Sequence, residues 1–350
     1  MATLVRERRH QQALKLPLPP PLPAAKFRTP TYSPGLSSAA SPGSPVIGNL
    51  FELEKLAVLG HGNGGTVYKV RHKGTSSIYA LKVLRFHDHA AAGFRQQAAR
   101  EAEIVKRVDS PYIIRCHGVF DNGRLTAGDD VITGGSDGSG GGSNLSFVME
   151  YMEEGSLQDL LRARQRLPEK EISGVARRVL RGLRYLHGMK IVHGDIKPSN
   201  LLVNGGGEVK IADFGVSHAV ECQGGGKGNA WDSSRDTFMG TCAYMSPERF
   251  DPERWDGGGG WEFAGDVWSL GVVVLECNLG RFPLIGPGQR PDWATLMCVM
   301  CFGERVEMPE TASPEFRSFV GRCLEKDWRK RATVDELLDH PFLNSSNGVG

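Results

Sequence analysis

Two acidic residues, a lysine and an asparagine follow one another in the second half of the chain at a spacing suited to moving a phosphate group. Lys197 comes two residues after Asp195, and Asn200 and Asp213 follow. A carboxylate can orient an attacking hydroxyl and accept its proton, while an Asp and an Asn can hold Mg²⁺ on a phosphate chain. We therefore expect Asp195 to be the catalytic base and Lys197 to neutralise charge on the γ-phosphate in a Ser/Thr-type reaction. Asn200 and Asp213 are the expected Mg²⁺ ligands.

A glycine-rich stretch in the first part of the chain predicts a site for the phosphates themselves. Residues 60–67 have the pattern GxGxxGxV, and glycines let backbone amides approach a phosphate closely. A dinucleotide-binding fold uses a similar pattern, but it requires a helix directly after the glycines and an acidic residue about 20 positions on. Here a strand pattern follows, and Lys82 stands near that position. The predicted nucleotide contacts in this stretch are Gly60, His61, Gly62, Asn63, Gly64, Gly65 and Val67.

Lys82 lies in an otherwise apolar strand pattern, within Ala80-Leu81-Lys82. An isolated lysine in such a strand usually lies on a solvated face, but it can also bind the α- and β-phosphates while it pairs with a glutamate on a helix. Glu101 is the better candidate for that partner, and Glu103 is the alternative. The choice stays open at this stage, because it depends on which face the helix presents to the strand.

The elements that would position these residues divide the chain into a sheet-rich first part and a helix-rich second part. The predicted strands, rich in β-branched and aromatic residues, span 51–59, 66–70, 78–84, 113–120 and 145–150, and a helix is predicted over 93–107. After these elements, a helix is predicted that Ser156 caps and that ends at Arg164. Further helices are predicted over 169–188, 264–279, 292–302, 313–324 and 333–339. This order predicts an α+β protein of two lobes, a small and mostly antiparallel sheet followed by a helical lobe, with a cleft between them.

Composition narrows the class of protein further. Lysine plus arginine number 42 and aspartate plus glutamate 40, and the resulting net charge of +2 gives no sign of nucleic-acid or membrane binding. No run of about 18 apolar residues occurs, and seven cysteines spread over the chain fit a reducing compartment. We expect an intracellular protein, in the cytoplasm and with the nucleus as a second location. Cys298 and Cys301 form a CxxC, which we interpret as two thiols packed in a helix, because a zinc site needs about four ligands.

Two stretches have compositions that cannot build a core. Residues 1–48 are rich in proline, serine and alanine, so we expect a flexible tail there. Residues 123–143 are crowded with glycine, serine and aspartate, which predicts a disordered insertion between two strands.

Taken together, residues 49–343 resemble a protein kinase domain, with a β-rich lobe over 49–150, a helical lobe over 151–343 and a short tail over 344–350. Three segments are similar to mitogen-activated protein kinase kinases, particularly those of plants. They are GTCAYMSPERF at 240–250, HGDIKPSN at 193–200 and KDWRKR at 326–331. The resemblance implies a bilobal kinase fold, ATP and Mg²⁺ as cofactors, and phosphorylation of a Thr and a Tyr in a mitogen-activated protein kinase.

The same resemblance implies roles for residues outside the catalytic run. Met149 would be the gatekeeper, the hinge from Glu150 to Met152 would contact adenine, and Ala80 would line the same nucleotide site. The residues with structural rather than chemical roles would be Glu248 and Arg331, as a buried ion pair, and Asp266, as support of the catalytic loop.

Two departures from the family pattern affect control. Gly194 stands where the family usually has an arginine that helps to hold a phosphorylated activation loop. Thr237 falls at the second phospho-acceptor of that loop, but Trp231, six residues earlier, has no hydroxyl, and Ser233 and Ser234 are at the wrong spacing. These losses argue against ordinary activation by an upstream kinase but leave the ATP and metal residues intact. Because of these losses, a second interpretation stays open, in which the chain is a pseudokinase or scaffold that binds a mitogen-activated protein kinase without efficient phosphate transfer.

The tail contains a pattern that suits docking to a partner. A basic cluster is followed, after a spacer, by alternating apolar residues, and an extended chain presents alternate side chains to the same side. This pattern resembles the docking motif with which the family holds its substrate kinase, although a solvated basic tail is the plain alternative. The predicted docking residues are Arg6, Arg8, Arg9, Leu14 and Leu16.

Overall fold

The computed structural model describes residues 47–62, 65–86, 92–121, 143–220, 242–251, 254, 261–286, 292–303, 306 and 308–344. Among these residues no helix is both long enough and apolar enough to cross a membrane.

The β-branched and aromatic residues of the first part form a five-stranded sheet in the order β1-β2-β3-β5-β4. All four neighbouring pairs are antiparallel, so the prediction of a mostly antiparallel sheet is confirmed. The strands are β1 (Leu53–Gly62), β2 (Gly65–His72), β3 (Ile78–Phe86), β4 (Cys116–Asp121) and β5 (Ser143–Glu150).

The alternation of side chains along β3 gives the sheet two different faces. Tyr79, Leu81 and Val83 pack on one face, while Leu84 and Phe86 pack on the other with the alanines of helix α1 (Ala92–Arg107). Because side chains two apart share a face, Lys82 lies on the face that α1 covers. The sheet and the helix therefore bring the lysine and the helical glutamates to the same side.

The observed strands differ most from the predictions at β1 and β4, while β2, β3 and β5 extend one or two residues beyond their predicted ranges. Residues Leu50–Glu52 form a 3-10 turn, and β1 begins only at Leu53 but continues into the glycine-rich stretch as far as Gly62. The predicted strand over 113–120 is shorter at its start, because Ile113 forms an isolated parallel bridge with Ile211 of the helical lobe. The backbone of Ile113 thus joins the two lobes instead of extending the sheet.

The second part is helical and surrounds one large apolar core. Its helices are α2 (Leu157–Arg164), α3 (Glu169–Gly188), α4 (Pro247–Phe250), α5 (Trp261–Leu279), α6 (Trp293–Met297), α7 (Pro314–Cys323), α8 (Val334–Leu338) and α9 (Pro341–Asn344). Short strand pairs join β6 (Ile191–Val192) to β9 (His218–Ala219) and β7 (Leu201–Val203) to β8 (Val209–Ile211).

The helix predictions are confirmed where a cap or a clear period marks the element. Helix α3 spans 169–188 as predicted, and its buried side chains recur at intervals of three and four residues. The Ser156 side chain accepts a hydrogen bond from the amide of Asp159 and caps α2. Helix α5 begins three residues before the predicted start, at Trp261.

The segment predicted as one helix over 292–302 has two parts. Helix α6 ends at Met297, and a π-helical turn, Cys298–Phe302, follows. Cys301 is buried in that turn and Cys298 is exposed. Within the described ranges, no group of three or more His, Cys, Asp and Glu side chains is arranged to hold a metal ion.

Candidate active site

Lys82 is the centre of a charged group between the two lobes. Its Nζ lies 2.6 Å from Oε1 of Glu101 and 2.8 Å from Oδ1 of Asp213. Glu101 is buried while Glu103 is exposed, so the structure pairs the lysine with the first of the two candidates. Strand β3 supplies the cation, α1 one carboxylate and the segment after β8 the other.

Burial and charge act in opposite directions within this group. Burial alone would lower the pKa of Lys82, but the charges of Asp213 and Glu101 outweigh it and raise that pKa. Burial raises the pKa of Glu101 even though the lysine charge opposes the rise. For Asp213 burial would raise the pKa, but the charge and hydrogen bond of Lys82, together with the charges of His193 and Lys197, hold that pKa below its usual range. The group therefore contains an ammonium ion and an ionised Asp213 at neutral pH.

The residues after β6 bring together three of the predicted catalytic and metal-binding side chains. The Nζ of Lys197 lies 2.8 Å from Oδ2 of Asp195. The Asn200 side-chain amide donates to the same Oδ2 at 2.8 Å and to the Asp195 carbonyl at 2.9 Å. Burial raises the pKa of Asp195, and the charge of Lys197 opposes the rise. A carboxylate in such a site is a better proton acceptor than an exposed one.

A buried carboxylate organises the backbone just before Asp195. Asp266 accepts the amide hydrogens of His193 at 3.0 Å and of Gly194 at 2.7 Å, and it lies 2.9 Å from Nε2 of His187. Nε2 of the His193 ring lies 3.2 Å from the carbonyl oxygen of Ala212. Nδ1 of the same ring accepts the amide hydrogen of Asp195 at 3.2 Å. Asp266 thus has the position of a loop support, which agrees with the role that the resemblance implies.

The donor set near the loop fits Mg²⁺ and a triphosphate. Asp213 has a left-handed backbone, with φ of 67°, which is strained for a residue with a side chain. About a third of its side chain stays exposed, at 37%, so its carboxylate is accessible from the cleft. Asn200 and Asp213 together offer the hard oxygen ligands that Mg²⁺ prefers.

The glycine-rich hairpin formed by β1 and β2 has two kinds of glycine. At Gly60 an added Cβ would meet nothing within 4 Å, so this position is open to a ligand. At Gly65 the same Cβ would lie 2.7 Å from Leu84 Cδ2 and 2.8 Å from the carbonyl of Val83. Gly65 is therefore required by packing against β3. The side chains of His61 and Thr66 lie 3.2 Å apart across the hairpin.

The hinge lies at the end of β5. Ala80 pairs with Met149 across β3 and β5, and Met152 is buried in an apolar cluster against which Met149 packs. The carboxylate of Glu150 lies 2.6 Å from Nζ of Lys210. The other carboxylate oxygen accepts the amide hydrogen of Arg115 at 3.3 Å, which leaves the Glu150 backbone to make the adenine contact predicted for this residue. Sequence patterns do not indicate this pair, because nothing in the spacing connects β5 to β8.

Two more contacts were missed by sequence reasoning. The side-chain amide of Gln97 donates to the carbonyl of Gly215, two residues after Asp213. Gln97 lies one helical turn before Glu101 and therefore on the same face of α1, so the helical period could have indicated that Gln97 also faces the site. Arg249 donates to the carbonyl of Gly194 at 2.6 Å, and no pattern in the sequence indicates this contact.

The predicted structural ion pair joins α4 to the segment before α8. Arg331 binds Glu248 through two nearly parallel contacts, Nη1 to Oε1 at 2.6 Å and Nη2 to Oε2 at 2.9 Å. Both side chains are almost wholly buried. The pair anchors α4, which lies in the segment 240–250 that is similar to mitogen-activated protein kinase kinases.

Several predictions concern residues outside the described part of the chain. They are Asn63 and Gly64 of the glycine-rich stretch, most of the insertion 123–143, the docking residues Arg6, Arg8, Arg9, Leu14 and Leu16, and the activation-loop residues Trp231, Ser233, Ser234 and Thr237.

Comparisons with known proteins agree with this geometry. A family model described as protein kinase domain matches residues 53–343. Mitogen-activated protein kinase kinase 10 of Arabidopsis thaliana is 52% identical, over 98% of this chain and 99% of that protein. Mitogen-activated protein kinase kinase 9 of the same plant is 48% identical over 97% and 98%, and kinase kinase 7 is 47% identical over 98% and 99%.

Proposed function

Because this chain belongs to the protein kinases and, within them, to the plant mitogen-activated protein kinase kinases, we propose that it phosphorylates a Thr and a Tyr of a mitogen-activated protein kinase. The observation that carries the proposal is the pairing of Lys82 with Glu101 and Asp213, beside the cluster of Asp195, Lys197 and Asn200. The lysine group that would bind the ATP phosphates and the cluster that would act on the substrate hydroxyl are thus both assembled in one structure.

Each residue has a distinct role in the proposed reaction. Asp195 orients the substrate hydroxyl and accepts its proton, and Lys197 offsets negative charge on the transferred group. Lys82, held by Glu101, binds the α- and β-phosphates, and Asn200 and Asp213 would hold Mg²⁺. ATP, when bound, supplies the phosphoryl group, and Mg²⁺ neutralises charge on its phosphates. The remaining contribution of the protein is positioning and electrostatic stabilisation.

The pseudokinase alternative receives no support from the comparisons. A scaffold has no need for a half-buried lysine between two carboxylates or for a buried base held by an asparagine amide. We infer that Gly194 and Trp231 change how the enzyme is controlled while the transfer chemistry is kept.

Docking of the substrate kinase through the tail is part of the same proposal. Arg6, Arg8 and Arg9 would meet an acidic patch, and Leu14 and Leu16 an adjoining apolar groove. An upstream kinase is the second proposed partner, and its remaining target in the activation loop would be Thr237.

The test of substrate specificity uses the full chain, ATP, Mg²⁺ and catalytically inactive mitogen-activated protein kinases. Phosphorylated sites are mapped by mass spectrometry on the intact substrate and on variants in which the activation-loop Thr is valine or the Tyr is phenylalanine. The proposal predicts phosphate on both residues, each persisting when the other is removed. Transfer to only one residue type would overturn dual specificity and leave an ordinary kinase.

A further inference from the structure

The peptide that links Gly194 to Asp195 is held at both edges. The guanidinium of Arg249 donates from Nη1 to the Gly194 carbonyl at 2.6 Å. The amide hydrogen of Asp195 is accepted by Nδ1 of His193 at 3.2 Å. Because a peptide unit is planar and rigid, these two contacts together fix its orientation. The same plane carries the backbone of the proposed base.

Because residue 194 is a glycine, the orientation of the Gly194–Asp195 peptide depends on these restraints. Gly194 has φ of 76°, a left-handed conformation that glycine adopts freely but does not keep, since it has no side chain to restrict its backbone. The Gly194 amide is bound by Asp266 at 2.7 Å. That contact fixes the peptide before Gly194, and rotation about ψ of Gly194 still needs a second restraint. The Arg249 contact lies on the far side of that bond.

Arg249 also lies within van der Waals distance of the point where a side chain at residue 194 would begin. A Cβ built on Gly194 would be 3.7 Å from Nη1 and 3.8 Å from Nη2 of Arg249. The family usually has an arginine at residue 194, so in this chain a cation from α4 lies beside the position of the missing one. The Arg249 side chain is half-buried, and burial lowers its pKa while the charges of Asp266, Asp195 and Glu248 oppose that lowering.

We propose that Arg249 is a positioning residue for phosphate transfer, which sets the orientation of Asp195 through the Gly194 carbonyl. The inference rests on the role proposed above for Asp195. Arg249 lies on α4, within the segment 240–250 that is similar to mitogen-activated protein kinase kinases, and it connects α4 to the catalytic loop without a phosphate. A charge-assisted hydrogen bond to a carbonyl is stronger and shorter than a neutral one, which suits a restraint on a flexible glycine.

The test compares three variants of the full chain after phosphatase treatment. Arg249→Met removes the donor and the charge while keeping most of the side-chain length, and Arg249→Lys keeps the charge and one donor. Arg317→Met, on the exposed surface of α7, is the matched control. The rate constant kcat and the KM for ATP are measured with an inactive mitogen-activated protein kinase as substrate, together with thermal unfolding. Backbone hydrogen exchange is followed by mass spectrometry in the peptide 191–201.

Arg249→Met should lower kcat by about tenfold or more, because small misplacements of a catalytic group are costly. Its KM for ATP should change by less than about twofold, since the proposed nucleotide contacts lie on other elements. Arg249→Lys should recover part of kcat, and Arg317→Met should match the wild type. Hydrogen exchange in 191–201 should rise in Arg249→Met and be partly restored in Arg249→Lys.

The inference is overturned if Arg249→Met keeps wild-type kcat and exchange, or if its kcat falls only as far as its folded fraction does. If Arg249→Met does not fold, Arg249→Lys decides, and wild-type kcat and exchange in that variant would count against the inference. Failure of the proposed function would look different, because wild type and Asp195→Asn would then have equal activity. In that case the exchange measurement still shows whether Arg249 holds the peptide.

Discussion

Removing Arg331 should destabilise the helical lobe by a predictable amount. Arg331 and Glu248 are 0% and 1% exposed and make two contacts of 2.6 and 2.9 Å. Arg331→Met leaves the Glu248 carboxylate buried without its cation, and breaking a buried pair in this way costs about 3–5 kcal/mol. The carbonyls of Ala264 and Glu325 also lose a donor from Arg331, which favours the upper part of that range.

The measurement is the free energy of unfolding from urea denaturation, followed by circular dichroism, and the midpoint of thermal unfolding. At about 2 °C per kcal/mol, the low end of the range for domains of 150–250 residues, which suits the larger domain over 53–343, the midpoint should fall by roughly 6–10 °C. Adding Glu248→Gln to Arg331→Met should recover part of the loss, because no charge is then left unpaired. Arg329→Met breaks an exposed pair with Asp327 and should cost less than about 1 kcal/mol. A loss from Arg331→Met as small as that of Arg329→Met would refute the reasoning.

Three further predictions concern transfer, pH and docking. Lys82→Met and Asp213→Asn should each abolish transfer without unfolding the chain, as judged by phosphate incorporation and circular dichroism, and near wild-type turnover in either would remove that residue from the site. Burial raises the pKa of Asp195 above 3.8, and a base must be deprotonated to accept a proton. As the pH is lowered, kcat should therefore begin to fall while the pH is still above 3.8, and this fall is the acid limb of the profile. Lys197→Met should shift this limb to higher pH, because the lysine charge lowers the pKa of Asp195, and a limb that stays in place would contradict the assignment. Reversing Arg8 and Arg9 to Glu should weaken binding of the mitogen-activated protein kinase in a salt-sensitive way while transfer to a generic peptide is unchanged. Equal binding by a chain lacking residues 1–20 would rule out docking by the tail.

Control of the enzyme gives one more prediction. Trp231 removes one phospho-acceptor and Gly194 one cation that would receive a phosphate, so Thr237→Ala should lower activity only modestly. Turnover is measured on phosphatase-treated protein before and after incubation with an upstream kinase, with loop sites mapped by mass spectrometry. An increase of about a hundredfold, equivalent to roughly 2.7 kcal/mol of barrier, would show that a phosphate switch survives. Phosphate on Ser233 or Ser234 in that experiment would identify a replacement acceptor.

Local patterns were enough to predict the elements that carry the site. The period of α3 and the cap at Ser156 specify their helices by short-range chemistry alone. The partner of Lys82 stayed open between Glu101 and Glu103, because the choice depends on how α1 rotates against the sheet. Packing of Ala98 and Ala102 on that sheet turns Glu101 inward.

The contacts that escaped prediction join parts of the chain far apart in sequence. Lys210 reaches Glu150 across 60 residues and Arg249 reaches Gly194 across 55. Neither contact has a period or a spacing rule, and the second ends on a backbone carbonyl, which no residue type reveals. The bridge from Ile113 to Ile211 shortened a predicted strand for the same reason, since a backbone partner in the other lobe was available.

Transfer of phosphate by the phosphatase-treated full chain to an inactive mitogen-activated protein kinase tests the central claim most directly. The measurement follows incorporation from labelled ATP in the presence of Mg²⁺, with Asp195→Asn as the matched background. The assembled residues Lys82, Glu101, Asp195, Asn200 and Asp213 predict incorporation well above that background. Incorporation equal to that of Asp195→Asn would contradict the account and make the chain a kinase-like scaffold.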